Sequence, residues 1–365
     1  MRFRKHVRPG WVRGALFASA AAVCALLAGA AAPLRAEPPA HTPLQFALAT
    51  PAMRLAALGR GGLDPAERPL AQAELRRLGY GWAGPGLAAG EARLRPLLSY
   101  DPNANGGYEA TGFDLGGLAF SVDPDYRARA RLMAGVRGQA NAVFALGGRF
   151  AAEAFLDARY LHALGGSEEK TTAQAGACLR QGLSARTSLR ECLSTGFSQT
   201  TLGFSRGSAA EIGLSHGFGL GPVLLEGGGV LRRARLAQGA LQWQGTATLA
   251  TVSPGATRLD LALSLGEPVA SEVAMRHRLG LALTRQILGE WTRLELAQEQ
   301  RAGGQFLGSA RRERRVSARL VRGVPLTSGQ GRPLAADLAL GWELVTARQS
   351  VLAERSLTVE LSLRF

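Results

Sequence analysis

The chain has 365 residues, 47 of them Gly, with 46% hydrophobic and 19% charged residues and a formal charge of +15. That balance excludes a disordered chain, a collagen-like chain and a disulfide-dense mini-protein. The basic excess does not call for nucleic acid as a partner. Six basic residues (Arg2, Arg4, Lys5, Arg8, Arg13, Arg35) fall in the first 36, their loss lowers the charge from +15 to +9, and the rest are nearly all scattered Arg.

Met1 to Gly14 is basic, Ala15 to Ala32 is apolar and uncharged, and small residues follow. These are the parts of a secretory signal over residues 1–36, with cleavage expected after Ala36. Pro33 works against an N-terminal membrane anchor, and Val23 before Cys24 works against a lipid-modified cysteine. Past the signal, the longest uncharged run, Leu236 to Thr257, carries Gln238, Gln242, Gln244 and Pro254. A spanning helix needs about 20 mostly apolar residues, so none is expected. An exported chain of this kind is either soluble or a transmembrane β-barrel.

Residues 37–90 read as a periplasmic N-terminal segment. Glu37 to Pro51 is rich in Pro and Ala and is expected to be extended. Asp64-Pro65-Ala66-Glu67 starts a helix: Asp64 caps, Pro65 fits the first position and Glu67 reaches back in a capping box. Leu70, Leu75 and Leu78 follow, and Gly79 ends it. One short helix forms no core of its own. It lies at the periplasmic mouth, plugs the lumen, or belongs to a flexible extension.

From residue 91 to residue 365 the chain alternates with period two. Ala128, Ala130, Leu132, Ala134 and Val136 oppose Arg129, Arg131, Met133 and Arg137. Phe150, Ala152, Ala154, Leu156, Ala158 and Tyr160 oppose Arg149, Glu153, Asp157 and Arg159. Val273, Met275, Leu279, Leu281 and Leu283 oppose Arg276, Arg278 and Thr284. A helix would mix these sets, whereas a strand separates them. Strands are expected near 91–100, 128–140, 149–163, 172–179, 191–205, 209–219, 223–234, 240–251, 257–266, 273–284, 291–300, 314–323, 334–345 and 353–365. That makes fourteen, an even number that returns both ends to the periplasmic side. The segment Phe113 to Val122 is ambiguous.

These runs are longer than the 5 or 6 residues usual in soluble strands and suit the roughly 9–11 residues of outer-membrane strands. A soluble sandwich would alternate too, but around a shared core of large aliphatic residues. Here the polar face carries ions of both signs, which suits a watered or salt-bridged lumen. Arg129, Arg131, Arg137, Glu153, Asp157, Arg159, Arg276 and Arg278 are expected to face it. The other face suits lipid, with Trp243 and Trp342 as interface anchors.

After processing, Cys178 and Cys192 are the only cysteines, and both fall on the polar register at the facing ends of two adjacent strands. In an oxidising compartment they are expected to form a disulfide. His41, His162, His216 and His277 show no metal-ligand spacing, and "GFSRGS" is not a nucleophile elbow because no strand-to-helix turn is expected there. No catalytic, metal or cofactor site is expected.

The chain ends "SLTVELSLRF", with Leu357, Val359, Leu361, Leu363 and Phe365 in alternation. This resembles the terminal strand by which bacterial barrels are recognised by their assembly machinery. The stretch "RPLLSYDPNANGGYEATGFDLGGLAFSVDPDYRARARLMAGV", with Tyr100-Asp101-Pro102-Asn103-Ala104-Asn105 and then Leu115-Gly116-Gly117-Leu118-Ala119-Phe120, resembles the opening of the barrel domain of surface lipoprotein assembly modifiers. That resemblance implies a fourteen-strand outer-membrane barrel that helps deliver a client protein to the cell surface. The helical repeats that precede the barrel in that family have no counterpart between Glu37 and Gly90. The expected protein is therefore an integral outer-membrane β-barrel whose partners are membrane lipid, the assembly machinery and a client. A passive pore for small solutes and a structural barrel without transport are the alternatives.

Overall fold

Each alternating run becomes a strand, and the strands close into a ring. A computed structural model describes residues 43–58, 68–115, 117–184, 186–327 and 333–364. The strands are β1 (Gly86–Asp101), β2 (Gly112–Leu115), β3 (Leu118–Ser121), β4 (Arg131–Gly147), β5 (Phe150–Ala163), β6 (Glu169–Gly182), β7 (Thr187–Thr200) and β8 (Phe204–Leu220). They continue as β9 (Val223–Arg235), β10 (Leu241–Val252), β11 (Thr257–Gly266), β12 (Ala274–Ile287), β13 (Glu290–Phe306), β14 (Ser309–Thr327), β15 (Pro333–Ala347) and β16 (Glu354–Arg364).

Fourteen of them, β1 and β4 to β16, form a closed antiparallel barrel. Closure is made by β1 against β16, from Leu97↔Ser362 to Tyr100↔Val359. These four pairs join the first strand to the last and close the ring, as a sheet in hydrocarbon requires. The segment that reads ambiguously at 113–122 is a separate hairpin, β2 with β3. The apolar register lies on the outer wall, where Leu94 is 70% exposed and Leu193 is 69% exposed. Large aliphatic side chains thus face outward rather than a shared core, which excludes the sandwich. Among the described residues no helix is long and apolar enough to cross a membrane.

Both ends of the ring-forming chain lie at one mouth, the terminus-side mouth, where the connections 148–149, 221–222 and 288–289 are tight. The opposite, loop-side mouth carries the long connection 102–130.

Three helices sit in the terminus-side mouth: α1 (Pro43–Leu48), α2 (Pro51–Leu58) and α3 (Arg68–Arg77). Residues 43–51 were expected to be extended, yet they begin two short helices. Thr50 accepts a hydrogen bond from the Met53 amide at 3.2 Å and Pro51 opens α2, so the start is capped. Met53 and Ala49 pack on Leu224 and Val252 of the inner wall, and Leu55 packs on Leu75 and Leu78. Gly217 makes this close approach possible, because a Cβ there would collide with the Ala52 carbonyl. Gly79, at φ +82°, ends α3 with Gly79 N–H to the Arg76 carbonyl and Tyr80 N–H to the Leu75 carbonyl. The segment therefore narrows the mouth. The expected capping residues Asp64 to Glu67, and the signal at 1–36 with its cleavage site, lie outside the described residues.

The loop-side mouth is crossed by 102–130. Its Asn103, Ala104 and Asn105 are buried, and Ala104 packs on Leu97, Met133 and Leu161. The Leu202 amide donates to the Asn105 carbonyl at 3.0 Å, the Arg355 amide donates to Glu109 at 2.7 Å, and Phe113 meets Phe306 edge-on at 6.1 Å. The connection therefore reaches from β1 to strands on the far side of the ring.

Candidate functional site: the charged lumen

The pairing ladders carry one face of every strand inward. From Glu153 the row runs through Cys178, Cys192, Glu211, Arg232 and Gln244 on successive strands. A cavity of about 990 Å³ is lined by Arg137, Asp157, Arg159, Gln174, Arg319 and Glu360, among others. A second, of about 700 Å³, is lined by Asp260, Arg278, Arg293, Glu295 and Glu343. The two share Asp101, Arg319, Gly341 and Thr358, so they adjoin.

Ion pairs lace this interior. Arg137 donates to both oxygens of Asp157, at 3.0 and 2.6 Å. Arg159 on β5 reaches Glu360 on β16 at 2.7 Å, and Arg319 on β14 reaches the same carboxylate at 4.0 Å. Glu360 thus ties together strands that are not neighbours in the ring. Arg95 and Asp337 do the same between β1 and β15 at 3.1 Å. Lys170 binds Asp101 at 2.5 Å, and Asp260 holds Arg258 at 2.8 Å and Arg293 at 3.6 Å. With one or both partners part-exposed to lumen water, such pairs contribute about 1 kcal/mol or less each. Their combined effect is a charged but nearly neutralised passage.

Glu153 is the most enclosed of these carboxylates, held by Arg180 at 2.5 Å and Arg190 at 2.9 Å. Tyr80, just after α3, is buried against this wall, and burial pushes its phenol up to about 12. Sequence periodicity gives no sign of Tyr80, because it belongs to no strand.

Most of the expected lumen residues stand where alternation places them, but three details differ. β4 begins at Arg131, so Arg129 lies in the connection before it. Arg129 and Arg131 face the loop carboxylate of Glu168 at 3.8 and 3.1 Å, at the rim rather than in mid-passage. Arg276 falls in a bulge between Met275 and His277, so the ladder assigns it no partner. Arg278 keeps the inward register, with Glu299 at 3.9 Å.

Cys178 and Cys192 are bonded as a directly opposed pair of β6 and β7. They are not at the strand ends. Both strands continue past them, so Arg180 and Arg190, expected in the intervening loop, extend the hairpin and turn onto Glu153. His162 lies 3.3 Å from Glu169, and the His216 ring is 2.8 Å from the Thr187 hydroxyl. Among the described residues no cluster of His, Cys, Asp and Glu could hold a metal ion. Leu357, Val359, Leu361 and Leu363 share the register of β16 opposite to Glu360, whereas Phe365 and His41 lie outside the described residues.

No family model matches the chain, and no curated protein matches it. Among solved structures, OccK5 (OpdH) of Pseudomonas aeruginosa is similar at 10% identity, over 77% of this chain and 98% of that one, with a TM-score of 0.38. OccAB2 of Acinetobacter baumannii is similar at 8% identity, over 75% and 96%, with a TM-score of 0.39. A BenF-like porin from Pseudomonas fluorescens Pf-5 is similar at 9% identity, over 75% and 97%, with a TM-score of 0.38. The strand number and closure come from this chain's own ladders. A closed fourteen-strand barrel with an apolar outer wall and a charged interior is a bacterial outer-membrane barrel.

Proposed function

We propose that the protein is a non-enzymatic passive channel for small water-soluble solutes, narrowed at one mouth by α1 to α3 and at the other by the connection 102–130. The observation that carries this reading is the pair of adjoining cavities, about 990 and 700 Å³, lined by ions of both signs inside a closed wall. A barrel meant only as a structural shell would be filled by packed side chains. Fixed charges exposed to interior water instead favour the passage of hydrated solutes. The near balance of Arg against Asp and Glu predicts weak ion selectivity. The delivery role implied by the resemblance to surface lipoprotein assembly modifiers has no supporting observation among the described residues. Recognition of β16 by the assembly machinery belongs to the same proposal, and is tested by the level of heat-modifiable barrel after deletion of residues 357–365.

The test is single-channel recording of the full chain and of a chain lacking residues 43–81. The expected result is small or intermittent conductance in the first and several-fold larger, steady conductance in the second. Silence in both would overturn the channel reading.

A further inference from the structure

The outer wall holds a feature that conduction does not use. Three arginines, Arg206 on β8 and Arg233 and Arg235 on β9, lie on the register that faces away from the lumen. Arg233 stands opposite Trp243, Arg235 opposite Leu241, and Arg206 opposite Phe197. All three are exposed. The ladder places Arg235 opposite Ser208, two residues from Arg206 on the same face. The three therefore form one row across two strands, in which Arg235 lies about 7–8 Å from each of the other two and Arg206 and Arg233 stand roughly 13 Å apart.

Among the described residues none of the three is ion-paired, and the carboxylate beside Trp243, that of Glu267, is taken by the Trp243 amide at 2.9 Å. The nearest carboxylates in sequence, Glu211 and Glu226, are on the inward register, where Glu211 already holds Arg232 at 3.3 Å. The Arg233 guanidinium lies over the Trp243 ring, 5.4 Å from its centroid, which fixes its direction along the wall. Phe204 and Phe197 stack nearby, with ring centroids 6.2 Å apart. These residues stand near the loop-side ends of their strands, which is the extracellular side when both chain ends face the periplasm.

Towards the middle of the wall, the cluster opens onto an indentation of about 700 Å³. Its floor is made shallow by Ala177 and Ala210 and its sides are Leu193 and Leu231, with Arg233 and Trp243 at the loop-side end. An apolar trough with the Arg233 guanidinium at its outer end, and Arg235 and Arg206 beyond it on the same register, fits a lipid that carries phosphate on its headgroup. Arg presents paired N–H donors suited to phosphate oxygens, and near hydrocarbon these charges have every reason to find an anion.

We infer that this patch is a binding site for a phosphorylated glycolipid of the outer leaflet, bisphosphorylated lipid A being the chemistry that matches. The phosphates would meet Arg206, Arg233 and Arg235, and an acyl chain would lie in the trough. The inference does not depend on whether the lumen conducts.

The test is native mass spectrometry of the full-length barrel, titrated with bisphosphorylated lipid A, with its dephosphorylated form and with phosphatidylglycerol. One lipid A should remain bound. Removing the phosphates, or making the triple change Arg206→Gln, Arg233→Gln and Arg235→Gln, should each weaken binding about tenfold or more. The control changes Arg285→Gln and Arg322→Gln, on the outward register at the opposite mouth, should leave binding unaltered. Equal binding of phosphatidylglycerol, or a triple variant that binds like the parent with its heat-modifiable barrel intact, would overturn the inference.

Discussion

The two mouths of this barrel are both narrowed, but with a different balance of packing and charge. At the terminus-side mouth apolar contacts, Met53 and Ala49 against Leu224 and Val252 and Tyr80 against Val143 and Ala151, are joined by hydrogen bonds from Gln45 to the Pro222 carbonyl, from Thr50 to Glu226 and from Arg258 to the Leu48 carbonyl. At the loop-side mouth they are mainly hydrogen bonds and ion pairs: Asn105 to Arg127 and Arg129, Lys170 to Asp101, Arg131 to Glu168. Apolar contact is insensitive to pH and little weakened by moderate salt, whereas exposed or half-exposed ion pairs respond to both. The same barrel therefore has one mouth where burial of Met53 against the wall is the central contact and one where ion pairs carry more of the hold.

The strongest way to break the comparison is to put a charge into the packed mouth. Met53 is 0% exposed, and Met53→Asp sets an unpaired carboxylate against Leu224 and Val252. The cost is on the order of 3 kcal/mol, enough to undock α2. Proteolysis within 43–81 should accelerate and conductance should rise, while the barrel remains heat-modifiable. Protease resistance like the parent's would show that the helices are not held by this contact.

A smaller effect is expected where the packed mouth meets the Glu153 wall. Glu153→Gln leaves Arg180 and Arg190 without their carboxylate. The side chain of Arg190 is 44% exposed, so the loss should fall below the 3–5 kcal/mol of a fully buried pair, at about 2 kcal/mol. Urea unfolding of the barrel in lipid vesicles measures it. An unchanged midpoint would mean that lumen water already satisfies both guanidinium groups.

The barrel was legible in the sequence because a wall between lipid and water imposes period two on nearly every strand. The contents of the mouths were not. α1 and α2 are too short to show helical periodicity, and they are fixed by Gly217, Leu224 and Val252, far along the chain. Arg129 was placed on a strand because alternation continues through 128–130. There, however, the Arg129 carbonyl accepts from the Ala104 amide and its amide donates to Asn105, so the ladder stops at Arg131. The Arg159–Glu360–Arg319 link exists only once the ring has closed, and no local pattern announces it.

The charged mouth can be loosened locally. Asn105 donates to the Arg127 carbonyl at 2.7 Å and accepts from the Arg129 amide at 2.9 Å. Asn105→Ala removes these bonds, and a longer one from the Gly107 amide at 3.4 Å, in a buried place, at a cost of about 1–3 kcal/mol to the local fold of 102–130. Amide exchange at Arg129 should quicken without any change at Met53. Equal exchange in the variant would mean that the connection is held elsewhere.

The smallest and most selective test uses pH. Glu168, in the connection between β5 and β6, has a side chain only 2% exposed and receives Arg131 at 3.1 Å, with Arg129 at 3.8 Å. The hydrogen bond from Arg131 holds its carboxyl below the usual carboxylate range. A carboxyl whose folded value is depressed contributes stability that is fully present above its unfolded value, about 4.3, and is lost as the pH falls through the folded one. Between neutral pH and about pH 5 the rim should therefore not change. Below that range the Ala163 amide, which donates to the Glu168 carbonyl at 2.9 Å, should lose protection once intrinsic exchange is divided out. Glu168→Gln should show that lowered protection at every pH and no acid step, and the α2 amides should show no step in either protein. An acid step that survives in Glu168→Gln would move the pH response to another group, and one that appears equally in α2 would erase the distinction between the two mouths.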